Sequence, residues 1–365
     1  MISGSVVYLF AFDVANEIRT GEVREVLSAR PAQLQLRTAT ALPKDVRIHQ
    51  PLVIGGPPET VVMGGAPRSL SCFVKVFEVG ALSITYELPV EVTALADLVA
   101  FHDLQVGDRL LADRAEALCD RVTGELRPTM AGPPRERSPA EAYTVFCLRA
   151  VDGVAAAELG AWAVAARADI AALLAQEPPD RLADEQVAET TRLWRRYSKG
   201  DLAVIDWDAA LLVDLGGKFD DVLYVIELAN LQLEQFRNLD DRLDAVALQA
   251  YGDLERHYRG RAGVRVPARI LADLRSSRVD LTKMSEEVDN ITKFVGDWYL
   301  AHLSAACRER FHLDHWQKSV ASKIEELDDL YSLVRSEIEA RRMLLLEVII
   351  VALFVLDVVL LIWKG

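Results

Sequence analysis

Six side chains in this sequence have the types and spacing to do chemistry. Asp206 and Asp208 flank Trp207 behind the strand-like run DLAVIDW (201–207), with Asp214 a little further on. Carboxylates two residues apart at a strand end form an oxygen-ligand set suited to magnesium. The same acids serve equally well at the start of a helix, whose N-terminus attracts negative charge. His312 and His315 bracket Asp314, and two neutral imidazoles that close could ligate a transition metal; capping and packing at a turn between two helices explain them as well. Glu347 and Asp357 interrupt the apolar run RRMLLLEVIIVALFVLDVVLLIWKG (341–365). Acids in such a run hold an interface between helices, reach for nearby headgroups, or line an ion path.

No motif turns these residues into a recognised catalytic centre. The chain has no GxxxxGK[ST] and no GxGxxG to cradle phosphates, no GxSxG nucleophile and no HExxH metal pair. The expectation is a protein that is not an enzyme and needs no cofactor. A divalent-metal-dependent enzyme built on Asp206 and Asp208 is a second alternative.

The bulk of the sequence narrows the partners. A net charge of −14 over 365 residues argues against a protein that coats nucleic acid, because phosphate contacts need surplus Lys and Arg. Cys72, Cys119, Cys147 and Cys307 are scattered without a CxxC pair, which fits a reducing compartment and no structural zinc. The first twenty residues lack the basic start of a signal peptide, and their apolar run is broken by Asp13.

The elements that must position these groups fall into three parts. Residues 1–215 read as an α+β domain. Its strand-like runs are SVVYLFAFDV, SCFVKVFEV, ALSITYELPV and AYTVFCLRA, and helical stretches lie between. Residues 216–342 read as a three-helix antiparallel coiled-coil stalk. Leu274, Leu281, Val288 and Val295 follow 4-3 spacing on one helix, and Ile324, Leu327, Val334 and Ile338 on the next. Residues 343–363 are 21 residues long, about 31 Å as a helix. Arg341 and Arg342 precede them, and Trp363 and Lys364 close them as interface anchors. The expected architecture is therefore an α+β domain on a stalk whose last helix continues into a single C-terminal span. The domain would lie in the cytoplasm, at the bacterial inner membrane or, in a eukaryote, the mitochondrial inner membrane.

The C-terminal half resembles the "required for meiotic nuclear division" (Rmd) family. The residues that carry the resemblance are Leu223-Tyr224, Leu233-Glu234 and Leu239-Asp240-Asp241-Arg242-Leu243-Asp244. Leu346-Glu347-Val348-Ile349-Ile350 follows, with Asp357 ten residues after Glu347. Val348 stands where that family has Trp, and Asp240 where it has Asn. The resemblance implies a membrane-anchored, oligomeric protein with no established reaction. The reading of the whole chain is a homo-oligomeric scaffold or tether in contact with lipid, its protein partner unnamed. An oligomeric ion channel that uses Glu347 and Asp357 is the first alternative.

Overall fold

The computed structural model describes residues 1–23, 35–37, 51–55, 58–63, 66–132, 139–151, 153–258, 275–282 and 298–364. Its frame is a sheet with ten strands among the described residues. In chain order they are β1 (Ile2–Asp13), β2 (Gln35–Arg37), β3 (Leu52–Gly55), β4 (Glu59–Met63), β5 (Ala66–Phe77), β6 (Ala81–Val92), β7 (Glu141–Val151), β8 (Trp194–Arg195), β9 (Asp201–Ile205) and β10 (Ala209–Asp214). The spatial order is β8-β9-β10-β7-β1-β6-β5-β3-β2, with β4 beside β5. The pairs are antiparallel except β7–β10. That parallel pair follows from a crossover through α1's successors, the helices α2 (Leu159–Ala165), α3 (Arg167–Ala175) and α4 (Asp184–Thr190); α1 itself is Leu111–Leu126.

β1 is the centre of the sheet. It runs from Ile2↔Val151 to Ala11↔Glu141 against β7, and from Ile2↔Val92 to Asp13↔Ala81 against β6. Its alternate side chains Val6, Tyr8, Phe10 and Phe12 join a core with Leu111, Cys119 and Val122 of α1 and Ile170 and Leu173 of α3. Ala11, on the opposite face, packs with Phe77, Ala81 and with Tyr224, Leu228 and Leu231 of α5 (Asp220–Tyr258). A strand covered on both faces needs apolar residues at every position, which is why VVYLFAF reads as a continuous run. Phe12 and Phe146 are fully buried, each worth about 2–3 kcal/mol of transfer free energy. The β5–β6 turn depends on Gly80 at φ 83°, where a Cβ would lie 1.9 Å from the Ala15 carbonyl oxygen.

Two compact units emerge. One comprises residues 1–238 and 282–317, the other 239–281 and 318–365. In the first unit, residues 224–236 of α5 are all buried, so this stretch is part of the platform under the sheet and not of a separate stalk. The same unit holds α6 (Trp298–Arg310). α7 (Leu313–Lys364) continues into the second unit. There Ile324 and Leu327 are buried, Leu281 is half-buried, and Lys323 bridges Asp240 and Asp244 at 2.8 and 2.5 Å. Leu274, Val288 and Val295 lie outside the described residues, as do the side chains of Val334 and Ile338.

The expected transmembrane architecture is corrected here. Among the described residues no helix is long and apolar enough to cross a membrane. The apolar stretch of α7 is interrupted by Glu347, which sits exposed within it. The tail-anchored layout and the single-pass placement at a bacterial or mitochondrial inner membrane lose their basis with it. The side chains of Asp357, Arg341, Arg342 and Lys364 lie outside the described residues, and Trp363 is 88% exposed.

Candidate functional site

The β9–β10 hairpin separates the two acids that the sequence placed side by side. Asp206 N–H donates to the Ala209 carbonyl at 2.9 Å and closes the turn; Thr144 N–H of β7 donates to the Asp208 carbonyl at 3.2 Å and fixes it beside the sheet. Across this turn Asp206 and Asp208 serve different neighbourhoods.

Asp206 is committed to an arginine. Arg310, at the end of α6, meets its Oδ1 at 2.8 Å. The same guanidinium donates to Glu189 Oε1 at 2.9 Å, to the Glu189 and Thr190 carbonyls at 2.8 and 3.3 Å, and to the Ile205 carbonyl at 3.4 Å. Burial pushes the Asp206 carboxyl up, and Arg310 opposes that shift. Trp207 at the hairpin tip meets the His312 ring in a tilted contact, with centroids 5.6 Å apart. His312 takes φ 51° in the turn between α6 and α7, and its carbonyl accepts the His315 N–H at 2.9 Å. The structure thus brings His312 against Trp207 at the hairpin tip, between the two acids in sequence. Among the described residues no group of three or more His, Cys, Asp or Glu could hold a metal ion.

Asp208 faces a cavity of about 270 Å³ on the α1–α3 side of the sheet. Tyr8, Phe10 and Thr144 come from the sheet, Leu104 and Leu111 from the segment entering α1, and His102 from the short 3₁₀ turn before it. Asp103, Leu110, Gln176 and Asp208 form the exposed rim. His102 is 8% exposed. Its Nε2 lies 2.7 Å from the Leu173 carbonyl oxygen, so Nε2–H donates, and the neutral ring keeps Nδ1 as an acceptor. Its ring packs edge-on to Phe146 at 4.9 Å. Burial lowers the His102 pKa; the Leu173 carbonyl and the charges of Asp103 and Asp208 oppose the shift. Partial burial raises the Asp208 carboxyl against the pull of Arg237 and His102.

Behind Asp208 a charged row continues under the sheet end. Arg237 of α5 pairs with Glu141 and lies over the Trp316 ring, 6.0 Å from its centroid. Asn230 Nδ2 donates to the Glu141 carbonyl at 3.0 Å. Glu234 accepts the Asp13 N–H, and burial with Asp13 and Glu141 nearby pushes its carboxyl up to about 8. One heptad earlier, Glu227 takes hydrogen bonds from Ser83 at 2.5 Å and Thr85 at 3.3 Å and pairs with Lys75. None of His102, Arg310, Glu227 or Glu234 stood out as a site residue from sequence. The two glutamates had a weak signal: they sit seven apart in VIELANLQLEQF, where Asn230, Gln232 and Gln235 are also polar.

The family model described as "Uncharacterized protein MJ0711, N-terminal domain" matches residues 3–220. The chain belongs to this family. The matched residues hold the whole sheet and every residue named in the cavity wall; the MJ0711 N-terminal domain ends as α5 begins. The uncharacterized protein MJ0711 of Methanocaldococcus jannaschii is 28% identical over 181 residues, 50% of this chain and 55% of that protein. The match thus spans about half the length of that relative. No solved structure matches. The resemblance to the Rmd family is corrected accordingly: the match lies on the N-terminal half and belongs to another family. The Leu-Tyr, Leu-Glu and Leu-Asp pairs that suggested Rmd are the ordinary currency of amphipathic helices.

Proposed function

We propose that the chain is a non-enzymatic scaffold that works as a homo-oligomer, each copy carrying one α+β platform and joined to others through α7. The observation behind this reading is the surface of α7. Met343 is 70% and Phe354 69% exposed, with Leu346, Val348, Ile350, Val351 and Leu353 exposed between them and Leu356 just beyond. Consecutive helical residues step by about 100°, so this stretch presents apolar side chains around the helix, interrupted by the exposed Glu347. A patch of that kind is a partner site or an aggregation hazard. The same helix on another copy offers matching apolar surface, so a self-association through α7 pairs like chemistry with like. Asp206, the acid best placed for metal chemistry by sequence, is ion-paired with Arg310, which supports a structural role for the hairpin.

Analytical ultracentrifugation of the full chain tests this. The native protein is expected to sediment as an oligomer, and Ile350→Lys with Phe354→Lys, one turn apart, to shift it to monomer without loss of helicity. A monomeric native chain, or one that leaves solution for lipid vesicles as single copies, would overturn the reading.

A further inference from the structure

The cavity beneath the β9–β10 hairpin has a one-sided charge among its described lining residues, with the Gln176 amide and the Thr144 hydroxyl as its neutral polar groups. Its tyrosine hydroxyls are spent: Tyr8 donates to the Phe101 carbonyl at 2.6 Å and Tyr143 to the Asp206 carbonyl at 2.8 Å. The His102 Nε2–H is spent on Leu173. Among the described residues that line it there is no lysine or arginine, while Asp103 and Asp208 stand at the rim. The cavity therefore offers negative charge and acceptors at its mouth, an imidazole acceptor in its wall, and the rings of Tyr8 and Phe10.

We propose that this cavity binds a small organic ammonium ion. Carboxylates at the mouth supply charge complementarity to an N–H or N–CH₃ cation, and the aromatic rings attract a cation through their faces. An anion would meet Asp103 and Asp208. A bare divalent metal needs about six oxygen ligands, and the wall supplies apolar surface from Phe10, Leu104 and Leu111 instead. The volume is near the lower end of ligand sites, roughly 300–1,000 Å³, so the ligand is a single small amine and not a long polyamine lying at full length. The site belongs to the platform and is independent of how copies of the chain associate.

Isothermal titration calorimetry on the full chain tests the assignment, with choline and ethylammonium chlorides as probes and glucose and magnesium chloride as controls. Saturable binding of at least one ammonium probe is expected. Asp208→Asn should weaken it tenfold or more. Leu110→Trp, a rim substitution that leaves every charge in place, should block it while the melting temperature stays within a few degrees. The inference fails if neither ammonium ion binds, if glucose or magnesium binds as tightly, or if both variants bind like the native chain.

Discussion

Arg310 and Asp206 sit 2.8 Å apart and join the end of α6 to the β9–β10 hairpin. The pair belongs to a larger fork, because the same guanidinium also holds the Glu189 side chain and the carbonyls of Glu189, Thr190 and Ile205. A lysine ammonium cannot reproduce a planar fork with donors on three nitrogens. Arg310→Lys is expected to destabilise the protein by about 2–4 kcal/mol, the cost of leaving buried acceptors and an acid unpaired. Chemical denaturation checks it. A change under about 0.5 kcal/mol, the usual scale of a surface substitution, would mean that the fork is not holding the hairpin.

Glu234 gives a pH signature of the opposite kind from an ordinary ion-paired acid. Unfolded, it releases its proton near the ordinary glutamate value of 4.5; folded, burial and the nearby Asp13 and Glu141 hold that proton until about 8. Between those values the native state binds more protons than the unfolded chain, so stability falls as pH rises. Glu234→Gln keeps an acceptor for the Asp13 N–H and removes the titration. The variant should melt near the native temperature at pH 5 and above it at pH 8, the gap opening across that window. Parallel melting curves for the two proteins would sink the idea.

The strands were legible because a covered sheet writes itself as apolar runs: VVYLFAF packs α1 and α3 on one face and α5 on the other. The long helices were legible from the 4-3 spacing of residues such as Ile324 and Leu327. Their placement was not. Glu227, Asn230, Gln232, Glu234 and Gln235 read as the wet face of a stalk, yet all are buried. Glu227, Asn230, Glu234 and Gln235 each reach a group far away in sequence, as Glu227 reaches Ser83, and no local pattern records that pairing. The cavity was equally hidden. His102 is a lone histidine without ligand spacing, and its meaning comes from Leu173, Phe146 and Asp208, which three different elements deliver. Asp208 itself was visible, but paired with Asp206, from which the hairpin turns it away.

His102 should make the platform acid-sensitive. Burial depresses its folded pKa below the ordinary 6.5, with Asp103, Asp208 and the Leu173 carbonyl only partly opposing. The unfolded chain takes up a proton as pH falls through 6.5 and the folded chain resists it, so stability present above pH 6.5 is lost below. Melting temperatures measured from pH 7.5 to 5 should fall more steeply for the native chain than for His102→Gln, whose amide can still donate to Leu173. Equal slopes would place the acid sensitivity in another group.

Glu227 offers a test of whether the polar belt under the sheet stabilises the fold or only satisfies itself. Its carboxylate gathers Ser83, Thr85 and Lys75 from β5 and β6 onto α5. Glu227→Leu strands the Lys75 ammonium and two hydroxyls against an apolar side chain, a loss of about 3 kcal/mol. Pairing it with Lys75→Met removes the stranded charge, and the double variant should regain more than half of that loss, because replacing both partners of a buried pair by apolar groups is often near neutral. Urea denaturation of the four proteins closes the cycle. If the double variant is no more stable than Glu227→Leu alone, the cost lies in the hydroxyls of Ser83 and Thr85 and not in the ion pair, and the belt is a hydrogen-bond network first.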